Sequence, residues 1–286
     1  MQSIGIDLGG SKIAAVLMNE QGKVLKEKRI VTPKSKKAII NALRSLIESL
    51  KTPQTKGIGM GCPGFVKPDG RLAMIHNVPS LMNVNLKKEL RLNMPLVIAN
   101  DAKCFALAEH AYGAGKSAKN MIGIVWGTGI GAGIIVNNQL LLGSQGAAGE
   151  VGHTIIDPGA KNRCTCGKLG DWESLCAGPQ LLRQYQLLGG KFTDTAVFLK
   201  STEEAAKIVK KTALEYMSIG IANLIMVFNP EKVVLGGGLS NLDVYPELNR
   251  LVRKRVGNDF YCVIVKNKLG DSAGKIGAAS LVFTTA

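Results

Sequence analysis

The sequence lacks a long hydrophobic run, although 46% of its 286 residues are hydrophobic. The most apolar helical stretch, 217–228, contains two polar residues and ends at an Asn-Pro pair, so it is too short to span a bilayer. The first ten residues lack a basic segment followed by an apolar one, so we expect no signal peptide. These absences favour a cytoplasmic protein without a membrane partner.

Cysteine and histidine are both scarce. The six cysteines are scattered over the chain, which argues against a disulfide framework, and only Cys164 and Cys166 have a spacing worth interpreting. Of the three histidines, only His153 lies beside glycine and glutamate residues that suggest a binding site, and we assign no role to His76.

Acidic residues are outnumbered by basic ones, and the formal net charge is +15. Such an excess attracts polyanions. The lysines are spread along the predicted surface helices, however, and the only compact basic cluster is 250–255, on a helix with an apolar opposite face. This pattern favours a solvated helix face, and we expect no nucleic-acid partner.

The order of predicted elements repeats once along the chain. Each half opens with a strand, a glycine turn and a second strand, near residues 3–19 and 121–136, and then adds helices and further strands. The repetition predicts a duplicated α/β architecture with a cleft between its halves.

Three glycine turns end strands, at 7–12, 127–133 and 236–238. Glycines allow close approach of a ligand, and successive backbone N–H groups bind phosphate oxygens. Asp7, at a strand end, is suited to hold Mg²⁺ through water. Each turn has a plain structural alternative. The second also fits a loose dinucleotide pattern, but β-branched residues follow it where that pattern needs a helix.

Seven segments in order resemble motifs of the ROK family, a group of repressors and sugar kinases within the actin-like, hexokinase-like ATPases. They are DLGGSK at 7–12, GCPG at 61–64, NDA at 100–102, GTGIGAG at 127–133, EVGH at 150–153, LGGGLS at 235–240 and GKIGAA at 274–279. The resemblance implies an α/β fold of two actin-like, ribonuclease H-like domains, 1–112 plus 272–286 and 113–271. Because the first phosphate loop begins at Asp7, we expect a kinase and no DNA-binding domain ahead of it.

The resemblance also implies roles for individual residues. Asp101 is the expected general base, although an Asp at that place is also a common helix N-cap. The residues expected to bind the sugar are Gly64, Asn100, Asp101, Glu150, His153 and Glu173. Those expected to bind ATP and its phosphates are Asp7, Gly9, Gly10, Ser11, Lys12, Gly127, Thr128, Gly129, Gly236, Gly237 and Gly238. ATP with Mg²⁺ is the expected donor, and the assembly implied is a homodimer or homotetramer.

The segment DWES at 171–174 resembles a motif common in bacterial glucokinases of the family, so glucose is the first expected substrate. Fructose, N-acetylglucosamine and N-acetylmannosamine stay open as acceptors. Polyphosphate stays open as the donor because the chain is strongly basic. A sugar-binding regulator without catalysis is the alternative from another class.

The family's zinc pattern is C-x-C-G-x-x-G-C-x-E, with the histidine of E-x-G-H as the fourth ligand. Here His153, Cys164 and Cys166 match, but Asp171 stands where the third cysteine belongs. A carboxylate is an acceptable zinc ligand, so a Cys₂HisAsp site is one reading. A metal-free loop in which Asp171 accepts from backbone N–H groups is the other. Cys176 lies too late in the chain to replace the missing ligand.

Overall fold

The computed structural model describes residues 1–73, 75 and 77–284, so His76 lies outside the described residues. Contacts between Cα atoms divide the chain into two compact units. The first contains Met1–Lys116, Gln139–Ala148 and Leu269–Ala286, and the second contains Ser117–Asn138 and Gly149–Lys268. The domain boundaries expected from the sequence stay a prediction.

Both units contain strands and helices. The strands are β1 (Gln2–Leu8), β2 (Lys12–Asn19), β3 (Val24–Val31), β4 (Thr55–Cys62), β5 (Phe65–Val66), β6 (Leu72–Ala73), β7 (Leu96–Asn100), β8 (Met121–Trp126), β9 (Ile130–Val136), β10 (Gln139–Leu140), β11 (Lys232–Gly236) and β12 (Val263–Lys266). The helices are α1 (Lys36–Leu50), α2 (Leu86–Leu90), α3 (Asp101–Tyr112), α4 (Trp172–Cys176), α5 (Gly178–Leu187), α6 (Thr195–Phe198), α7 (Glu204–Phe228), α8 (Tyr245–Val256) and α9 (Ala273–Thr284).

Two five-stranded sheets share one topology. Their strand orders are β3-β2-β1-β4-β7 and β10-β9-β8-β11-β12. In each sheet the first strand pairs antiparallel with the second and parallel with a later strand. The duplicated α/β plan predicted from the sequence is therefore confirmed at the level of the sheets.

Helix α1 has the bounds that the sequence predicts. Ser35 caps it by accepting a hydrogen bond from Ala38 N at 3.3 Å, and apolar residues recur on one face at helical spacing. That face is buried in the core of the first unit together with the inward residues of β1, Ile4 and Ile6.

Helix α9 covers the opposite face of the first sheet. Because side chains alternate along a strand, the face opposite Ile58 and Met60 belongs to Gly59. A Cβ built on Gly59 would lie 1.7 Å from the carbonyl oxygen of Ala278, in α9. Only glycine therefore lets the helix backbone lie directly on the strand.

In the second unit, α8 carries the basic cluster on its exposed side. Arg250 forms a bidentate pair with Glu247, and Arg255 contacts Glu215 and Ser218. Leu248 is buried on the other side of the helix, as the amphipathic pattern predicts. Within residues 1–73, 75 and 77–284, no helix is both long enough and apolar enough to cross a bilayer.

Candidate active site and metal centre

The carboxyl ends of β1, β4 and β7 meet at one edge of the first sheet. These strands are parallel, with Asp7 opposite Gly61 and Cys62 opposite Asn100. Ligands of open α/β sheets bind outside the carboxyl ends of the strands. A site is thus expected at the edge that carries the glycine turn after β1, the GCPG turn at the end of β4, and Asp101 after β7.

Asn100 ties two of these segments together. Its Oδ1 accepts from Ala102 N at 2.9 Å and so caps α3, while its Nδ2 donates to the carbonyl oxygen of Gly64 at 2.9 Å. Asp101 is exposed, and its Oδ1 accepts from Ala102 N at 2.8 Å. Asp101 is therefore the first residue of α3, and Asn100, not Asp101, is the N-cap residue.

The turn between β1 and β2 is closed by its own backbone. Gly9 N donates to the carbonyl oxygen of Lys12 at 3.0 Å, and the Thr32 hydroxyl donates to the carbonyl oxygen of Gly9 at 2.6 Å. Thr32 N also donates to Ser11 at 3.1 Å. Gly10 and Ser11 lie exposed at the tip of this turn, where a phosphate can reach them.

Asp7 lies against the first turn of α9, where a Cβ built on Gly274 would be 2.8 Å from its Oδ2. Burial raises the pKa of Asp7 above its ordinary value, and the positive charges of Lys12 and Lys275 partly offset this effect. Lys275 is itself largely buried and forms an ion pair with Glu27. Lys275 was not predicted as a site residue, although a single lysine within an apolar helix is a signal that could have identified it.

The second sheet brings two of the predicted glycine turns together. Strands β8 and β11 are parallel with Val125 opposite Gly236, so the turns 127–129 and 237–238 leave the same edge. A Cβ built on Gly127 would lie 3.7 Å from Gly238 N. The loop 127–129 is closed by a bond from Gly127 N to Gly129 O at 3.0 Å. Thr128 is exposed at its tip.

Gly237 has a positive φ of 84°, and a Cβ there would lie 2.4 Å from the carbonyl oxygen of Trp126. The position therefore requires glycine. Among the described residues, nothing lies within 4 Å of a Cβ built on Gly238, so the segment presents bare backbone on its outer side. Such a surface has room for a nucleobase or a ribose.

Four predicted metal ligands converge in the second unit. The ligand atoms of His153, Cys164, Cys166 and Asp171 all lie within 4.8 Å of one another. His153 Nδ1 is 3.2 Å from Asp171 Oδ2 and 3.7 Å from Cys164 Sγ, and Cys166 Sγ is 3.3 Å from the same Oδ2. Tetrahedral zinc keeps nitrogen, oxygen and sulfur ligand atoms about 3.3–3.8 Å apart, so these three distances are close to those of a zinc site.

Asp171 combines both readings that the sequence left open. Its Oδ1 accepts from Ser174 N at 2.8 Å and caps α4, while its Oδ2 faces His153 and Cys166. Burial raises the pKa of Asp171, but hydrogen bonds from Ser174, Cys164 and His153 outweigh it and lower the pKa below its ordinary value. The carboxylate is thus held ionised, as a metal ligand must be.

The two predicted sugar-binding glutamates differ in their surroundings. Glu150 is partly buried, immediately before the short 3₁₀ turn Val151–His153. Glu173 lies in the first turn of α4, and its Oε2 accepts from Ile130 N at 2.9 Å. Its Oε1 accepts from Cys164 Sγ at 3.5 Å. The contact with Ile130 was not predicted, because nothing local in the sequence relates residues so far apart.

Cys176 is fully buried on α4 and points away from the four ligands. Its carbonyl oxygen accepts from Trp126 Nε1 at 2.8 Å, and its Sγ lies 3.7 Å from the carbonyl oxygen of Ala213. It is a core residue, and the expectation that it does not replace the missing ligand agrees with this position.

Comparison with known proteins identifies the family. A sequence model of the ROK family matches residues 3–285. The chain belongs to the ROK family. The glucokinase of Streptomyces coelicolor is 31% identical over 98% of this chain and 96% of its own length. The N-acetyl-D-glucosamine kinase of Pasteurella multocida is 33% identical over 97% of this chain and 98% of its own.

A solved ROK structure supports the fold. The ROK family glucokinase from Streptomyces griseus, in complex with glucose and AMPPNP, has a TM-score of 0.80 and 28% identity, covering 98% of this chain and 99% of its own. The fold is therefore the α/β fold of two actin-like units that the sequence predicted.

Proposed function

We propose that this ROK protein is a sugar kinase that transfers the γ-phosphoryl group of ATP to a hexose hydroxyl, with glucose giving glucose 6-phosphate. One observation carries the proposal. In each unit, predicted glycine turns follow the carboxyl ends of parallel strands. The relatives of the chain include glucokinases and N-acetylglucosamine kinases. The coarse assignment, a sugar kinase, has the support of these relatives, while glucose is the finer proposal.

The proposed base is Asp101. Its carboxylate takes the proton of the sugar hydroxyl as that oxygen attacks the γ-phosphorus, and the bond to the bridging oxygen of ADP breaks. The exposed position of Asp101 at the start of α3 leaves room for a sugar hydroxyl. Asn100, held by Gly64, and the partly buried Glu150, His153 and Glu173 supply donors and acceptors for other hydroxyls.

The nucleotide is proposed to bind through three turns. The turns 9–12 and 127–129 supply backbone N–H groups for the phosphates, apart from Gly9 N and Gly127 N, which donate within their own turns. Residues 236–238 supply the bare backbone surface for the adenosine. Asp7 would hold Mg²⁺ through water. The ion would neutralise negative charge on the transferring phosphoryl group.

Zinc is the proposed metal at His153, Cys164, Cys166 and Asp171, because their ligand atoms fit its tetrahedral spacing. His153 ends the three-residue turn Val151–His153, and Glu150 immediately precedes that turn. Fixing His153 therefore also fixes the backbone beside Glu150, and we propose that the ion orients both side chains toward the sugar.

A coupled assay with ATP, Mg²⁺ and a panel of glucose, fructose, mannose and N-acetylhexosamines tests the proposal. We expect turnover, with glucose giving the largest kcat/KM. A larger kcat/KM for N-acetylglucosamine would support a sugar kinase but identify N-acetylglucosamine as its substrate in place of glucose. No turnover with any sugar, together with sugar binding seen by calorimetry, would support the non-catalytic regulator instead.

The same assay with polyphosphate in place of ATP tests the donor. The charge of +15 favours a polyanion, so the comparison is made side by side at equal phosphate concentration. We expect ATP to be preferred. A cytoplasmic location, a homodimer or homotetramer, and the domain boundaries at 112 and 272 accompany this proposal as predictions.

A further inference from the structure

Glu173 contacts two sites that the proposed function treats as separate. Its Oε2 accepts from Ile130 N at 2.9 Å, directly after the phosphate loop 127–129. A Cβ built on Gly129 would lie 2.6 Å from the same oxygen, so the carboxylate lies against the loop itself. Its Oε1 is 3.5 Å from the Sγ of the metal ligand Cys164.

The backbone links the two sites as closely as the side chain does. Asp171 is a metal ligand through Oδ2 and the cap of α4 through Oδ1, and Glu173 follows it by two residues in the first turn. The Ser174 hydroxyl also donates to the carbonyl oxygen of Asp171 at 2.8 Å. A displacement of Asp171 therefore displaces the start of α4.

Helix α4 cannot absorb such a displacement easily. Between Asp171 and Glu173 lies Trp172, whose side chain is fully buried. A Cβ built on Gly220, in α7, would lie 2.3 Å from the Trp172 ring, so the indole lies directly on the α7 backbone. The buried indole therefore holds residues 171–173 as one rigid piece, so Asp171 and Glu173 keep a fixed position relative to each other.

We propose that Glu173 couples metal binding at His153, Cys164, Cys166 and Asp171 to nucleotide binding at the loop 127–129. With the metal in place, the segment that carries Glu173 is fixed, and Glu173 holds Ile130 N and the loop beside it. Without the metal, Cys164 and Asp171 lose a shared partner, and Glu173 holds the loop less firmly. Glu173 is thus a positioning residue for the nucleotide. The inference rests on the proposed function in taking 127–129 as a nucleotide loop and the four clustered residues as a metal site.

Calorimetry with AMPPNP in the absence of sugar tests the coupling. We expect removal of the metal by a chelator to weaken AMPPNP binding by about fivefold or more, the lower range of typical coupling between sites. Glu173→Ala should bind AMPPNP weakly whether or not metal is present. Glu173→Gln, which keeps an acceptor for Ile130 N, should recover most of the affinity. Glu204→Ala removes an exposed glutamate of α7 and should behave as the wild type.

The reciprocal effect gives a readout that does not depend on a variant. Because coupling is symmetric, AMPPNP must tighten metal binding by the same factor. Cobalt in the site would report its thiolate ligands by absorption, so its titration can be followed with and without AMPPNP. Equal cobalt affinities under both conditions, or AMPPNP affinity in the wild type that ignores the metal, would overturn the coupling.

The remaining outcomes are equally decisive. If Glu173→Ala keeps the metal dependence of AMPPNP binding, or if the wild type binds no metal, the coupling is wrong. The proposed sugar kinase activity would still stand, because the coupled assay tests it separately. If AMPPNP does not bind in either form, both the coupling and the use of ATP are wrong.

Discussion

Replacing Asp171 by cysteine separates its two roles. The Asp171→Cys variant regains the three-thiolate pattern of the family, and thiolates are the ligands that favour zinc most strongly. A thiol is a poor N-cap, so the same change removes the acceptor that Asp171 Oδ1 provides for Ser174 N at 2.8 Å. We therefore expect opposite effects on the metal-free and the metal-loaded protein.

The magnitudes follow from these contacts. Loss of an N-cap costs about 1 kcal/mol of unfolding free energy, which lowers the Tm of a unit of this size by about 2–4 °C. Each tenfold gain in zinc affinity adds about 1.4 kcal/mol to the stability of the loaded protein at saturating metal. A tenfold gain thus offsets the lost cap, and a larger gain makes the loaded variant more stable than the loaded wild type.

Asp171→Ser is the matched control, because serine caps helices well but gives zinc a poor ligand. Thermal unfolding with and without chelator, and competition titration for zinc, measure the three proteins. Stripped Asp171→Ser should match the wild type in Tm, and stripped Asp171→Cys should not. Zinc binding of equal strength in all three proteins would refute the assignment of Asp171 as a ligand. An unchanged Tm of stripped Asp171→Cys would refute its role as the cap.

Three further predictions concern the first unit. Asp101→Asn should still bind sugar by calorimetry but lower kcat by about 10²–10⁴-fold, and retained turnover would contradict the base assignment. Lys275→Met removes a charge that lowers the pKa of Asp7, so the acid limb of kcat/KM should move to higher pH, and an unchanged limb would count against the Asp7 assignment. Gly59→Ala should lose about 1–3 kcal/mol in denaturant unfolding because α9 must shift, whereas Gly159→Ala, with only ordinary contacts nearby, should not.

Much of the fold was predictable because its signals are local. The bounds of α1, Lys36–Leu50, were predicted from the helical spacing of its apolar residues. The strands before the glycine turns at 7–12 and 236–238 were also predicted, and β1 and β11 end at Leu8 and Gly236. The motif order then indicated the family, and the comparison confirmed it.

The parts that were not predicted depend on contacts between distant residues. Helix α4 has five residues, too few to show a helical period, so its start at Asp171 was not recognised. The bond between Glu173 and Ile130 joins positions 43 residues apart. The sequence did not decide between a ligand and a backbone acceptor at Asp171, because one oxygen caps α4 while the other faces His153 and Cys166.

The placement of α9 has a consequence for the order of folding during synthesis. This last helix lies directly on β1 and β4, at Gly5 and Gly59, although it is made after every other element of the chain. Domains generally fold as units as the chain emerges. The second unit is complete once Lys268 has left the ribosome, whereas the first still lacks the helix that covers one face of its sheet. The unit that begins the chain therefore cannot complete its fold until α9 has been made.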